Sequence, residues 1–192
     1  MTMKRSARGL CVAAGIVAAA ATLASTAAAA QSIFYDWNEG SSRQSVSVSP
    51  QMSPGQIIVS FADRRLYHVV GRGRAVSYPI AVPREQSRWE GTTSVSMKRI
   101  NPSWTPTPTM RRENPTLPTY VPGGHPRNPL GVRALYLGSS AYRIHGTDAP
   151  WTIGQPVSKG CIRMYNEDVL DLYNKINVGT KVLVTWKHVA AG

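Results

Sequence analysis

Residues 157–166 read VSKGCIRMYN. Cys161 stands at the centre, with Lys159 two residues before it and Arg163 two after. The chain has 192 residues and only two cysteines, and the other, Cys11, lies in an apolar N-terminal stretch. If VSKGCIRM is one short strand, positions spaced by two share a face, and both cations project beside the sulfur. A thiol is a nucleophile only as thiolate, and near pH 7 an unperturbed one is ionised to a few per cent. Neighbouring positive charge raises that fraction. Gly160 suits a backbone that approaches a ligand closely, and successive N–H groups there are placed to hold an oxyanion. The structural alternative, a cysteine acting as a small buried hydrophobe, stands beside this reading.

Downstream, Asn166 is expected to cap a helix, with Glu167 and Asp168 in the first turn where the helix dipole favours acids. Val169, Leu172, Tyr173 and Ile176 recur at helical spacing, Gly179 marks the stop, and TKVLVTW closes the chain as a strand. Upstream, VRALYLG and AYRIHGT, at 132–138 and 141–147, form a strand pair. His145 ends the second strand before a glycine. A general base must come from elsewhere in the chain, and His145 is the best placed of the four histidines. His68 falls inside a strand pattern and His125 in an exposed loop.

QIIVSFADRRLYHVVG gives two strands turning near Asp63 and Arg64, AVSYPIAV a third, and TSVSMKRI a fourth. Between them and the strand pair, eight of the fourteen prolines crowd Pro102 to Pro129. Proline cannot donate to a sheet ladder, so 101–131 is expected as a loop covering a cleft, packed through Trp104 and Tyr120. Residues 31–54 are rich in Ser and Gln and are expected as a tether with no fold of their own. Residues 1–30 have the form of a signal peptide: Lys4, Arg5 and Arg8, then an apolar run too short to favour a span, then small residues. An uncleaved anchor is the rival. Removing the leader lowers the formal net charge from +12 to +9. An exported basic chain fits an anionic cell envelope better than nucleic acid. The mature chain keeps one cysteine, so an internal disulfide is excluded, and the histidines lack metal-ligand spacing.

The stretch IHGTDAPWTIGQPVSKGCIRMYNEDVLDLY resembles the signature of the L,D-transpeptidases, the YkuD-type catalytic domain: an H-G-T segment, a loop, then S-x-G-C-x-R. NPLGVRALYLG is similar to the same family. The resemblance covers roughly residues 55–187, with a tail at 188–192. It implies a mainly β, sandwich-like fold with one or two helices and the long Pro-rich loop. It implies Cys161 as nucleophile, His145 as general base and acid, and the Gly146 carbonyl orienting the imidazole. The oxyanion hole would be built from the N–H groups of Lys159, Gly160 and Cys161. Arg163, Ser158 and Trp151 would bind substrate, Ser158 by positioning the loop and Trp151 as a wall of the acyl pocket. Lys159 departs from the second histidine that many members carry. No metal or cofactor is implied. The implied substrate is a peptidoglycan stem tetrapeptide, with D-alanine released in the periplasm or cell wall. The acceptor would be a second stem, giving 3–3 cross-links, or an envelope protein. Acylation by carbapenems is implied as well. An L,D-carboxypeptidase, a non-catalytic wall-binding module and a sortase-like enzyme are the alternatives.

Overall fold

The computed structural model describes residues 43–189. Eleven strands and two helices follow in order: β1 (Gln44–Ser47), β2 (Ile57–Ser60), β3 (Arg65–Gly71), β4 (Arg74–Pro79), β5 (Val82–Pro83), β6 (Gly91–Ile100), α1 (Pro108–Glu113), β7 (Arg133–Leu137), β8 (Arg143–His145), β9 (Pro156–Ser158), β10 (Ile162–Arg163), α2 (Asn166–Lys175) and β11 (Lys181–Thr185). Nine of the strands run β1-β4-β3-β2-β11-β6-β7-β8-β10, while β5 and β9 form a separate parallel pair. The ten-residue β6 joins two halves of the large sheet. Its residues 91–94 pair with β11 and its residues 95–100 with β7. Side chains from both halves, among them Ile57, Val59, Leu66 and Tyr78 from one and Leu135, Leu137, Ile144 and Ile162 from the other, share one core with Val169 and Leu172 of α2. The architecture is mainly β and sandwich-like, because each half is apolar on the face it turns to the other.

Order extends further at both ends than the chain's texture predicts. Residues 44–47, inside the expected tether, form an edge strand on β4. Val48 buries itself with Ile58, Tyr67, Val69 and Val189 on the outer face of β2 and β3. Val189, expected in the tail, also donates its N–H to Asp63 Oδ2 at 2.9 Å. Two apolar residues at one end and one at the other were too faint a pattern to mark as structure. The expected leader and residues 31–42 of the expected tether lie outside the described residues.

The Pro-rich segment is a loop with one short helix in it. Thr107 accepts from the Met110 N–H at 3.2 Å and Pro108 occupies the first turn, so α1 starts where an orphan donor is satisfied and a missing one costs nothing. Asn128, buried, stitches the segment together. Its Nδ2 donates to the carbonyls of Pro102 (2.8 Å) and Pro122 (3.0 Å), and its Oδ1 accepts from the Leu130 N–H at 2.9 Å.

Candidate active site

Alternation along β8 and β10 builds the site. Ile144 and Ile162 are register partners and both enter the core. Their neighbours therefore face the other way: Arg143 and His145 on β8, and Arg163, the register partner of His145, on β10. These three residues line one cleft of about 580 Å³ together with Cys161, Ser158 and Lys159. The opposite wall is the Pro-rich segment, through Trp104, Thr107, Met110, Glu113 and Leu130.

The stretch 157–164 is not the single strand its composition predicts. β9 pairs with β5 and β10 pairs with β8, and the chain breaks direction between them at 159–161. Ser158 holds the break. Its hydroxyl donates to the Cys161 carbonyl at 2.5 Å and accepts from the Gly160 N–H at 3.3 Å. Gly160 adopts φ +126°, and a Cβ there would sit 2.1 Å from Cε1 of Tyr142. Tyr142 is stacked on Trp89 with ring centroids 5.0 Å apart, and the Trp89 indole donates to the Gly160 carbonyl at 3.1 Å. The close approach that demands glycine is therefore to an aromatic ring of the protein itself, not to a ligand.

Breaking the strand also breaks the expected same-face trio. Lys159 lines the cleft, but its ammonium is paired with Glu113 of α1. The cations that favour the thiolate are Arg143 and, more weakly, Arg163, both lining the cleft with Cys161. Burial outweighs these charges and pushes the Cys161 thiol up. Its sulfur lies 3.8 Å from the Ala141 carbonyl, a contact a thiol can make as donor and a thiolate cannot.

His145 is buried, at 4 % exposure. Burial pushes its imidazole down to about 3, Arg163 and Arg143 push the same way, and the Gly146 carbonyl opposes them. Nδ1 lies 2.6 Å from that carbonyl oxygen. A carbonyl only accepts, so Nδ1 carries the hydrogen and Nε2 keeps its lone pair. The resting site thus holds a neutral thiol and a neutral imidazole.

Asn166 does not cap α2. The cap position is Tyr165, without a side-chain bond. The Asn166 amide turns back instead: Oδ1 accepts from the N–H groups of Thr147 (3.1 Å) and Val132 (3.4 Å), and Nδ2 donates to the Thr147 carbonyl at 2.9 Å. Gly146 O and Thr147 N belong to one peptide plane. Asn166 therefore fixes the plane whose other end holds His145. A Cβ on Gly146 would fall 2.2 Å from Asn166 Oδ1, which accounts for the glycine after the histidine.

Arg163 donates from Nη1 to the Thr152 hydroxyl at 2.9 Å. Trp151, expected as a pocket wall, is 77 % exposed on the 3-10 turn 150–152 and is not among the residues lining the cleft. Tyr120 is also exposed, so only Trp104 of the expected aromatic pair serves the cleft. Arg143 went unnoticed although the signal was present: in AYRIHGT it stands two residues before the histidine, on the same face of the strand.

The L,D-transpeptidase catalytic domain family YkuD matches residues 54–184. The probable L,D-transpeptidase ErfK/SrfK of Escherichia coli is 42 % identical over 137 residues, which is 67 % of this chain and 43 % of that protein. The chain thus aligns with less than half the length of such relatives. A crystal structure from Brucella melitensis, described as a probable carnitine operon oxidoreductase, is 40 % identical with a TM-score of 0.50, covering 74 % of this chain and 92 % of that one. L,D-transpeptidase 3 of Mycobacterium tuberculosis has the same fold at 16 % identity, with a TM-score of 0.53 over 69 % of this chain and 62 % of its own. By the extent of the family match and the sequence of its relatives, the chain belongs to the YkuD family of L,D-transpeptidase catalytic domains.

Proposed function

We propose that this protein is a peptidoglycan L,D-transpeptidase in which Cys161 carries the acyl group and His145 moves the protons. The observation that carries the reading is the arrangement of the two groups. A free thiol and an imidazole with its Nε2 lone pair available line one cleft, and the imidazole is oriented by the Gly146 carbonyl. Because thiol and imidazole both rest neutral, the proton passes from sulfur to Nε2 as the sulfur attacks the carbonyl between the third-position diamino acid and the terminal D-alanine. The tetrahedral oxyanion develops beside the 159–161 turn. The Gly160 N–H is already engaged by Ser158, so the N–H groups of Lys159 and Cys161 are the stronger candidates to receive it. Collapse returns the proton from His145 to the departing D-alanine nitrogen and leaves a thioester. An amine of a second stem then attacks, giving its proton to Nε2, and the restored thiol closes the cycle. Arg143 and Arg163 offset the negative charge that builds on sulfur and oxygen.

The setting is an exported one, with residues 1–30 as leader and the domain from 55 to 187 working in the periplasm or wall. An envelope protein amine as acceptor would attach that protein to the wall, and water would make the enzyme an L,D-carboxypeptidase. The full chain is incubated with defined tetrapeptide muropeptides and the products are weighed by mass spectrometry. Cross-linked dimers with loss of D-alanine are expected. Tripeptides alone would make it the carboxypeptidase, and unchanged substrate would make it a binding module.

A further inference from the structure

A second cavity, of about 540 Å³, adjoins the catalytic cleft. Trp104 and Pro129 line both, so at those points one residue separates the two. Tyr120, 55 % exposed and absent from the cleft, lines this cavity instead, and Leu117 and Val121 add apolar surface. The polar side chains include Arg127 and His125 from the Pro-rich segment and Asp148, three residues after His145. The walls are preformed. Trp104 and Val121 exchange backbone hydrogen bonds of 2.9 and 2.8 Å, which fixes Trp104 beside the Tyr120–Val121 segment. The buried Asn128 ties Pro102 to Pro122, and the Arg111 guanidinium donates to the Thr119 carbonyl at 2.8 Å. His125 Nδ1 accepts from the Arg127 N–H at 3.1 Å, so a neutral imidazole there offers its Nε2–H as a donor.

These groups select the occupant. The chain carries a formal net charge of +12, yet this cavity sets one guanidinium against one carboxylate, which does not favour a charged polymer. Two aromatic side chains with a few donors and acceptors suit a neutral ligand that has apolar ring faces and polar edges, as a pyranose has. The position narrows the choice further, and here the inference rests on the function proposed above. Three stem residues separate the glycan strand from the scissile carbonyl, and three residues reach at most about 11 Å. The sugar that bears the donor stem is therefore held close to the cleft, where this cavity lies. We propose that the cavity binds the N-acetylhexosamine glycan strand from which the donor stem hangs. Trp104 and Tyr120 meet the ring faces, while Arg127, His125 and Asp148 meet hydroxyl and acetamido groups. The enzyme then reads sugar as well as peptide, and uses stems still joined to glycan better than free peptides.

Two measurements on the full chain test this. One is D-alanine release from a disaccharide-tetrapeptide and from the same tetrapeptide without sugar. The other is calorimetric binding of glycan strands stripped of their stems. Wild type is expected to favour the sugar-bearing donor by roughly 10-fold or more in kcat/KM and to bind the bare glycan saturably. Tyr120→Ala should reduce that preference about 5-fold and weaken glycan binding by a similar factor, the scale of one aromatic contact. Arg127→Gln, on an exposed side chain, should move both in the same direction by a smaller factor. Equal use of the two donors by wild type would overturn the proposal while leaving the transpeptidase reading intact. So would bare glycan that does not bind, or a preference unchanged in both variants, which would put the sugar elsewhere. Binding of the sugar-free tetrapeptide that Tyr120→Ala weakens as much as glycan binding would make the cavity a peptide groove and overturn it too. If wild type released D-alanine from neither donor yet bound bare glycan through Tyr120, the transpeptidase reading would fall and the glycan site would stand.

Discussion

Asn166→Asp separates two accounts of one residue. A helix cap accepts Asp as readily as Asn, and an added charge at a helix N-terminus is favourable. The geometry around Asn166 says otherwise. Nδ2 is a donor to the Thr147 carbonyl at 2.9 Å, and Asp replaces it with an anionic oxygen facing another oxygen. Oδ1 still accepts from the Thr147 N–H at 3.1 Å. Asn166→Ala loses both of these bonds and strands two peptide groups of the buried Thr147. Two neutral hydrogen bonds at about 1 kcal/mol each, with a further desolvation penalty for the groups left unpaired, put the cost at about 2–4 kcal/mol. For a domain of this size that is a fall in melting temperature of roughly 5–15 °C, short of unfolding at 25 °C. The same change frees the Gly146–Thr147 peptide plane, and a loosened imidazole should slow acylation by about 10- to 100-fold. Urea melts and stopped-flow carbapenem acylation read the two effects. If Asn166→Asp matches or exceeds wild-type stability and acylates normally, the brace does not exist and the capping account is right.

Other outcomes follow from the same structure. Gly160→Ala forces an L-residue to φ +126° and a methyl into the Tyr142 ring, so a loss of about 2–4 kcal/mol is expected in urea melts, relieved in part by Tyr142→Leu. The folded His145 takes up a proton only near pH 3, whereas in the unfolded chain it does so near 6.5. The unfolded state therefore binds more protons between those values, and stability falls as pH drops from 6.5, by about 2 kcal/mol at pH 5. His145→Gln should remove that part of the slope, and a slope unchanged in the variant refutes the buried neutral imidazole. Because burial holds the Cys161 thiol up, its alkylation by iodoacetamide should keep accelerating past about pH 8.5. A rate already flat at neutral pH would mean a preformed thiolate–imidazolium pair.

Much of the fold could be read from alternation and turn residues. The runs at 57–71, 93–100, 133–145 and 181–185 carry enough branched and aromatic side chains to declare strands, and the α2 stripe its helix. What alternation cannot declare is the partner. VSKGCIRM has strand composition, yet its two ends pair with β5 and β8, and Lys159, in the break between them, pairs with Glu113. Asn166 shows the same limit for a single side chain, since local sequence favours a cap and the tertiary neighbours Thr147 and Val132 offer better bonds. Trp151 looked like a wall because it sits near the motif in sequence, while the 3-10 turn points it to solvent. His145 was singled out at a strand end before a glycine and Cys161 as a lone thiol after one, and the fold brings both into one cleft, whereas Arg143 was passed over because no motif marks it.

The central claim is that Cys161 carries the acyl group in this cleft. Mass spectrometry of the intact chain after incubation with a carbapenem, followed by peptide mapping, tests it directly. Wild type should gain one adduct, mapped to Cys161, and Cys161→Ala should gain none. An adduct of the same mass on the alanine variant, or on any other residue of the wild type, would contradict it.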